Sequence, residues 1–369
     1  MSLQSQSPTP KQLDASKISL VRSSNERPIP QHGSKELWAQ NMCSDHIAPL
    51  IRPFGNLSIS PAASCLNYAT QCFEGMKVYR GFNGKLRLFR PDCNAKRLVS
   101  SAQRAALPSF DEGALMCNTG WLPKEAAGRF LYIRPSLVGT DEQIEATLYI
   151  IMFPWPDFST ETPPGIIRSR LGPRLCVSAG DTIRAWPGGF GYAKVGANYG
   201  TTFRAHGQAL SLGFDQILWI FGPDCLITEA GASNFFAVIR NAATNRTELL
   251  KAPLTENLIL DGVTKRSVLE LFRSRLSDEL GIVERNFTMH ELIEDGRLLE
   301  TFVSGTVFFI TAVFLIHFLG RDLLMPDVDE QNTKCYASAI KGWLRGIQYG
   351  EEDHEWRVVI DEGLENASQ

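Results

Sequence analysis

The segment Gly188-Gly189-Phe190-Gly191-Tyr192-Ala193-Lys194-Val195-Gly196-Ala197-Asn198-Tyr199-Gly200 holds the densest run of glycine in the chain. Glycine lets a backbone bend sharply and come close to a ligand. The run sets one amine, Lys194, in the middle of such a loop, with the phenol of Tyr199 five residues on. A mobile surface loop is the plainest account of it. A phosphate-cradling loop is another, but its templates fail: no glycine stands three residues after Gly191, and Val195 rather than Ser or Thr follows Lys194. The third account is a reactive amine. A lysine that reacts must lose its proton through desolvation or a neighbouring cation.

A lysine that forms a Schiff base with pyridoxal phosphate has that requirement, and such a site needs further parts. A carboxylate must meet the pyridine nitrogen, and backbone N–H groups, hydroxyls and an arginine must hold the phosphate. Candidates lie on both sides of the opening segment. Thr228-Glu229-Ala230-Gly231-Ala232-Ser233-Asn234 follows an apolar strand and sets Glu229 among small residues. Leu260-Asp261-Gly262-Val263-Thr264 joins a glycine, a helix start and a hydroxyl, and Ser304-Gly305-Thr306 is a second small hydroxyl-bearing turn. Each alone is equally a solvated turn or a plain helix start. Their joint presence and order point to the cofactor.

The chain around them is organised as two blocks. A polar tail spans 1–35, a smaller α/β block 36–160, a proline-rich linker 161–173 and a larger block 174–369. In the first block, Lys85 to Phe89 alternates as a half-buried strand, and Asn94 to Ala106 reads as a helix with Lys, Arg and Gln on its wet face. Arg129–Leu137 and Thr147–Phe153 read as strands. In the second block, Gln216–Phe221 and Asn234–Ile239 read as strands, Val263–Leu280 as a helix, and Val303–Leu319 as a buried strand-turn-strand. Strands and helices intermix, so the fold class is α/β (mixed α+β).

Composition removes several functions. The 369 residues are 44% hydrophobic and 21% charged, which supports a sizeable core. With 37 basic against 40 acidic residues, no basic excess marks a nucleic-acid scaffold, and no nucleic-acid partner is expected. The eight cysteines are scattered without Cys-x-x-Cys, and the six histidines form no His-Glu-x-x-His, so no metal is expected. Met1 to Ser16 has no apolar core and no arginine, and the chain ends Ala367-Ser368-Gln369. The expectation is a cytoplasmic protein, a mitochondrial one remaining open, with no membrane partner.

Several stretches in register resemble the branched-chain aminotransferases, fold-type IV pyridoxal-phosphate enzymes of two domains. They are Tyr68-Ala-Thr-Gln-Cys-Phe-Glu-Gly-Met-Lys-Val-Tyr-Arg80, Leu88-Phe-Arg-Pro-Asp-Cys-Asn-Ala-Lys-Arg97 and Tyr132-Ile-Arg-Pro135. They continue with Ala193-Lys-Val-Gly-Ala-Asn-Tyr-Gly200, Ile227-Thr-Glu-Ala-Gly231, Ile259-Leu-Asp-Gly-Val-Thr264 and Ile347-Gln-Tyr-Gly-Glu-Glu-Asp-His-Glu-Trp356. The resemblance implies that Lys194 is the catalytic Schiff-base lysine, Glu229 the partner of the pyridine nitrogen and Tyr199 the partner of the cofactor phenolate oxygen. It implies that Arg97, Gly262, Val263, Thr264 and Thr306 hold the phosphate. Tyr68, Phe73, Tyr132 and Val307 would line the substrate pocket, and Arg134 would receive the distal carboxylate of glutamate. It further implies a homodimer in which a loop with Ile144 and Ala146 closes the other subunit's pocket.

The activity so implied moves an amino group between Leu, Ile or Val and 2-oxoglutarate. Three departures bear on substrate range. Ala232 stands where many members carry threonine, Ala197 replaces a glycine before Asn198-Tyr199, and Val307-Phe308-Phe309 replaces a small alanine after Gly305-Thr306. A relative that aminates an unusual 2-oxo acid in a specialised biosynthetic pathway is therefore the second reading. A D-amino-acid or aminodeoxychorismate enzyme fits Tyr132-Ile-Arg134 and Phe73-Glu-Gly less well. A non-catalytic regulatory protein on the same scaffold is the third reading.

Overall fold

The computed structural model describes residues 38–43, 50–53, 55–108, 122, 126–141, 145–154, 172–293, 297–307, 309–325 and 335–360. The expected tail, and the expected linker up to residue 171, lie outside these residues. In chain order come β1 (Trp38–Cys43), β2 (Leu50–Pro53), α1 (Ser64–Tyr68), β3 (Gln71–Phe73), β4 (Met76–Arg80), β5 (Leu86–Phe89) and α2 (Pro91–Arg104). Next are β6 (Phe130–Asp141), β7 (Glu145–Pro154), β8 (Arg174–Val177), α3 (Ala197–Gly200), α4 (Phe203–Ser211), β9 (Gln216–Phe221) and β10 (Leu226–Ala230). Then follow β11 (Ser233–Arg240), β12 (Thr247–Lys251), α5 (Val263–Arg275), β13 (Leu280–Glu284), α6 (Met289–Ile293) and β14 (Leu298–Gly305). The chain closes with β15 (Phe309–Ala312), β16 (Leu315–Phe318), β17 (Arg321–Leu324), α7 (Tyr336–Tyr349) and β18 (Arg357–Ile360).

Two sheets result. The first has the order β18-β5-β4-β6-β7-β1-β2, with β3 also on β6. The second has the order β13-β12-β11-β10-β9-β8-β16-β17, with β14 on β11 and β15 on β14. The first sheet is antiparallel throughout. In the second, β8–β9, β8–β16 and β12–β13 run parallel, and α5 supplies the crossover between β12 and β13. The last strand among the described residues returns to the first sheet, where Val358 pairs with Leu88.

Each helix next to the site owes its position to its apolar stripe. On α2, Ala95, Leu98 and Ala102 are buried and recur at helical spacing against the first sheet. Pro91 opens this helix three residues before the expected start, because its fixed φ suits the first helical position. On α5, Val268, Leu269, Leu271 and Phe272 are buried against Phe236 and Phe302, each contributing about 1.5–3 kcal/mol. This helix stops at Arg275 rather than Leu280, since Leu280 opens β13 and pairs with Thr247. The expected strand-turn-strand over Val303–Leu319 consists of the end of β14, then β15 and β16.

Tyr79, Phe89, Phe130 and Trp356 from the first-sheet side join the same apolar cluster as α5 and α7. The two sheets therefore share buried surface at the place where the candidate residues meet. Among the described residues, no helix is long and apolar enough to cross a membrane.

Candidate active site

The glycine-rich segment is packed, not loose. Ala193 and Val195 are buried and belong to the first-sheet core. Val195 bridges to Cys72, the Phe73 N–H donates to the Lys194 carbonyl at 3.0 Å, and the Gly196 N–H donates to the Gln71 carbonyl at 2.9 Å. A Cβ on Gly196 would stand 2.4 Å from Gln71 Nε2, so only glycine lets the segment lie this close to β3. The Lys194 N–H donates to Ser101 Oγ on α2 at 2.9 Å. With its backbone held from both sides, Lys194 directs its amine inward. Nζ lies 3.1 Å from Tyr199 Oη and 4.7 Å from the centre of the Phe73 ring, and the Phe73 and Tyr199 rings are 5.1 Å apart.

Helix α2 also positions Arg97. Asn94, Arg97 and Ser101 follow one another at helical spacing on one face, and all three reach the site. Arg97 is thus turned inward, whereas Lys96 and Gln103 face water. Its guanidinium grips Glu74 with two bonds, Nε to Oε1 at 2.6 Å and NH2 to Oε2 at 2.8 Å, and NH1 donates to the Asp261 carbonyl at 2.8 Å. Asn94 Nδ2 and the Gly75 N–H complete the Glu74 shell at 2.8 and 3.1 Å. Burial pushes the Glu74 carboxyl up, but the charge and hydrogen bonds of Arg97, helped by Lys194 and Asn94, outweigh it and hold the carboxyl below the usual range. Of the five guanidinium hydrogens, three are so used and two remain for an anion.

The anion end is built from α5. Its N-cap Gly262 is extended and offers no side-chain cap, so first-turn N–H groups there have no intrahelical partner. A Cβ on Gly262 would lie 2.3 Å from Asn234 Oδ1, which keeps this position open. A small cleft at this helix end is lined by Val263, Thr264, Thr306, Gly75 and Asn94. The Thr306 hydroxyl donates to the Gly75 carbonyl at 3.1 Å and ties β14 to the first sheet. An uncapped helix end, two threonines and a guanidinium with spare hydrogens form a donor set suited to a phosphate.

At the other end stands Glu229, 3% exposed, on β10. Oε1 accepts from Asn234 Nδ2 at 2.7 Å and from the Leu260 N–H at 3.0 Å, and Oε2 pairs with Arg184 NH2 at 2.7 Å. Glu229 therefore does not stand merely among small residues. Arg184, Asn234 and Glu74 are the site residues that the sequence reading missed. The strand pairing Glu229↔Asn234 is the signal that finds Asn234; Arg184 and Glu74 carry no local pattern of their own.

The expected substrate pocket is partly assembled. Tyr132 and Arg134 share one face of β6, with Arg134 NH2 donating to Tyr132 Oη at 3.1 Å. The Arg134 guanidinium lies 5.0 Å from the Phe73 and Tyr132 ring centres, and its buried Nε has no hydrogen-bond partner among the described residues. Val307 follows Thr306 in the β14–β15 turn, and Phe309 holds a left-handed φ of 57° there. Tyr68 is not brought in: it is 76% exposed at the end of α1. Ala146 lies in β7, paired with Gly139, rather than in a loop. Ile144 and Phe308 lie outside the described residues.

Comparison with known proteins matches the chain to a family. Residues 71–316 match the family described as amino-transferase class IV. The chain is 39% identical over 387 residues to the cytosolic branched-chain-amino-acid aminotransferase of Saccharomyces cerevisiae, covering 95% of this chain and 98% of that one. The chain belongs to the branched-chain aminotransferases of class IV. This aminotransferase is also 38% identical over 332 residues to the cytosolic branched-chain-amino-acid aminotransferase of Mus musculus, covering 85% of this chain and 82% of that one. The mitochondrial branched-chain-amino-acid aminotransferase of Saccharomyces cerevisiae is 36% identical over 380 residues, covering 94% and 93%.

Among solved structures, the branched-chain aminotransferase of Thermoproteus uzoniensis with norvaline has the same fold. Its TM-score is 0.69 at 22% identity, over 89% of this chain and 100% of that one. The T.th. branched-chain amino acid aminotransferase complexed with N-(5'-phosphopyridoxyl)-L-glutamate gives a TM-score of 0.65 at 20% identity, over 90% and 100%. The expected fold class, fold-type IV, holds for this aminotransferase, and the protein is an enzyme.

Proposed function

We propose that this aminotransferase exchanges an amino group between Leu, Ile or Val and 2-oxoglutarate, using pyridoxal 5'-phosphate. The observation that carries this reading is the Lys194 amine held 3.1 Å from the Tyr199 hydroxyl, under the Phe73 ring. When bound, pyridoxal phosphate supplies an aldehyde that takes up the amino group and a ring that draws electrons from the substrate α-carbon.

The side chains divide the remaining work. Lys194 holds the cofactor and afterwards moves the proton at the substrate α-carbon. Tyr199 orients the amine and bonds the ring oxygen. Glu229, kept in place by Arg184, Asn234 and the Leu260 N–H, meets the ring nitrogen. Arg97, Gly262, Val263, Thr264 and Thr306 hold the phosphate, with Glu74 fixing the plane of the Arg97 guanidinium.

Phe73, Tyr132, Val307 and Tyr68 form the side-chain pocket, and Arg134 takes the second carboxylate of glutamate or 2-oxoglutarate. An arginine stacked on two aromatic rings pairs that carboxylate without adding charge to the apolar wall. The exposed Tyr68 contributes to this pocket through a homodimer, and the small-domain side that carries Ala146 closes it. We also propose the division into a small domain at 36–160 and a large one at 174–369, and a cytoplasmic location like that of the yeast and mouse relatives named cytosolic.

The test is the absorption spectrum of the purified protein with pyridoxal phosphate, before and after L-leucine, L-valine and L-glutamate added separately. A visible band that bleaches with leucine and with glutamate is expected, and Lys194→Ala lacks this response. The exposed Ala232 and the Val307–Phe309 turn favour a second reading, amination of an unusual 2-oxo acid. A band that bleaches with glutamate alone selects it, and rates over a panel of oxo acids then name the substrate.

A further inference from the structure

Lys251, at the end of β12, is fully buried, and its amine has no hydrogen-bond partner among the described residues. Buried lysines are almost always paired, because an ammonium stripped of water and left alone is costly. Nothing in the sequence motifs assigns this residue a role. Its surroundings do. Nζ lies 5.5 Å from the centre of the Phe236 ring, and two residues earlier on the same face of β11 is Asn234, the donor to Glu229 Oε1.

The charged groups packed around Lys251 come from every neighbouring element. Glu229 on β10 and Glu284 on β13 draw it towards the charged form. Lys265, in the first turn of α5, and Arg184, beside the glycine-rich segment, push it the other way. Asp261 is occupied with Lys265 and Arg266, Glu284 with Arg273, and Arg285 turns its guanidinium to Glu291. Burial is the largest influence, and the amine falls to about 7.

We propose that Lys251 is a positioning residue for Glu229, and that its amine sets how strongly that carboxylate engages the ring it faces. Uncharged, Lys251 leaves Glu229 shared between Arg184 and the ligand. Charged, it adds a second buried cation that draws on the same carboxylate and weakens its hold on the ring nitrogen. The proposal rests on the reading of Glu229 as the ring-nitrogen partner.

The experiment is a pH titration of the visible absorption band of the holoenzyme without substrate, for the wild type and Lys251→Met. The wild type should show a transition near pH 7 that Lys251→Met lacks, and Lys251→Gln serves if the methionine variant fails to fold. A transition that persists in the variant, or none in the wild type, overturns the proposal while leaving the functional reading intact. No visible band in either protein after incubation with pyridoxal phosphate overturns the functional reading itself.

A second readout needs no cofactor. The folded amine is depressed relative to the unfolded value of about 10.4, so the unfolded chain binds more protons between those two values. The burden of burying the ammonium is complete below pH 7 and disappears as pH rises towards about 10. Cofactor-free Lys251→Met should therefore melt above the wild type at pH 6, the gap closing across that window. A gap that does not change with pH shows that the amine does not titrate there and removes the proposal.

Discussion

The two ends of the site each bury a carboxylate against an arginine, yet they do different things with it. Glu74 is fully buried and meets Arg97 through two bonds, with Asn94 and the Gly75 N–H filling the remaining positions. Arg97 meets both of its oxygens. Glu229 is almost as buried but has one short contact to Arg184, and the buried amine of Lys251 is a second cation in its electrostatic reach. That end carries more potential positive charge than its carboxylate can match. A matched pair fixes geometry, whereas an unmatched one leaves a charge that other groups can tune.

The sharpest way to break this comparison is to remove one charge from each end. Glu229→Gln should lower kcat by roughly 10²- to 10³-fold, since a preorganised charge at the reacting centre is lost. Its effect on stability should match that at the other end, because it leaves the Arg184 guanidinium, 5% exposed, without its counter-charge. Steady-state rates and urea unfolding of the same preparation check both statements.

Glu74→Gln should cost as much stability with a smaller loss of rate. It leaves the Arg97 guanidinium, 11% exposed, without its counter-charge, a loss of about 3 kcal/mol in unfolding free energy. The sign with pH is also fixed. The folded Glu74 carboxyl is held below its unfolded value of about 4.3, so its stabilisation is complete above that value and is lost as pH falls through the folded one. Wild type and variant should thus converge in acid melts below about pH 4. A constant gap down to pH 2 would falsify the assignment of this stability to the ion pair.

The pocket wall offers a smaller effect. Arg134 has a buried Nε without a partner among the described residues and one bond to Tyr132 Oη. Arg134→Met should raise KM for glutamate and 2-oxoglutarate roughly tenfold, the order of one charged hydrogen bond, and leave KM for leucine within about twofold. An equal rise for both substrates would move the carboxylate site elsewhere.

The same contrast explains what could be read from residues alone. Lys194, Tyr199 and Glu229 lie in stretches rich in glycine and small residues, where local chemistry is visible in the order of residues; Arg97 came only through the family resemblance, since its helix alone reads as turning its arginines to water. The β-rich fold with α2 and α5 was legible for the same reason, through alternation and helical spacing. Arg184, Glu74 and Lys251 were not, because each acts through a partner far off in sequence. Arg184 meets Glu229 across 45 positions, and Glu74 meets Arg97 across 23. A charged residue reads as surface in one dimension; only the pairing of β10, β11 and β12 and the packing of α2 on β3 bring these three inside. Boundaries failed where tertiary pairing overrode a helical pattern, as Leu280 did at the start of β13.

One contact joins the Arg97 end to Lys194, and its loss should be the mildest. Ser101 stands in line with Asn94 and Arg97 on α2, and its Oγ accepts the Lys194 N–H at 2.9 Å. The helix that carries Arg97 therefore also fixes the backbone of Lys194. Ser101→Ala removes one neutral hydrogen bond and leaves a buried N–H unpaired, for about 1–2 kcal/mol. Because the Phe73 N–H and Lys194 carbonyl still hold the segment to β3, the amine should keep its place and the rate should fall by only a few fold. Melting curves and kcat measured together decide the matter. A rate loss as large as that of Glu229→Gln would mean that α2, rather than β3, sets the position of Lys194.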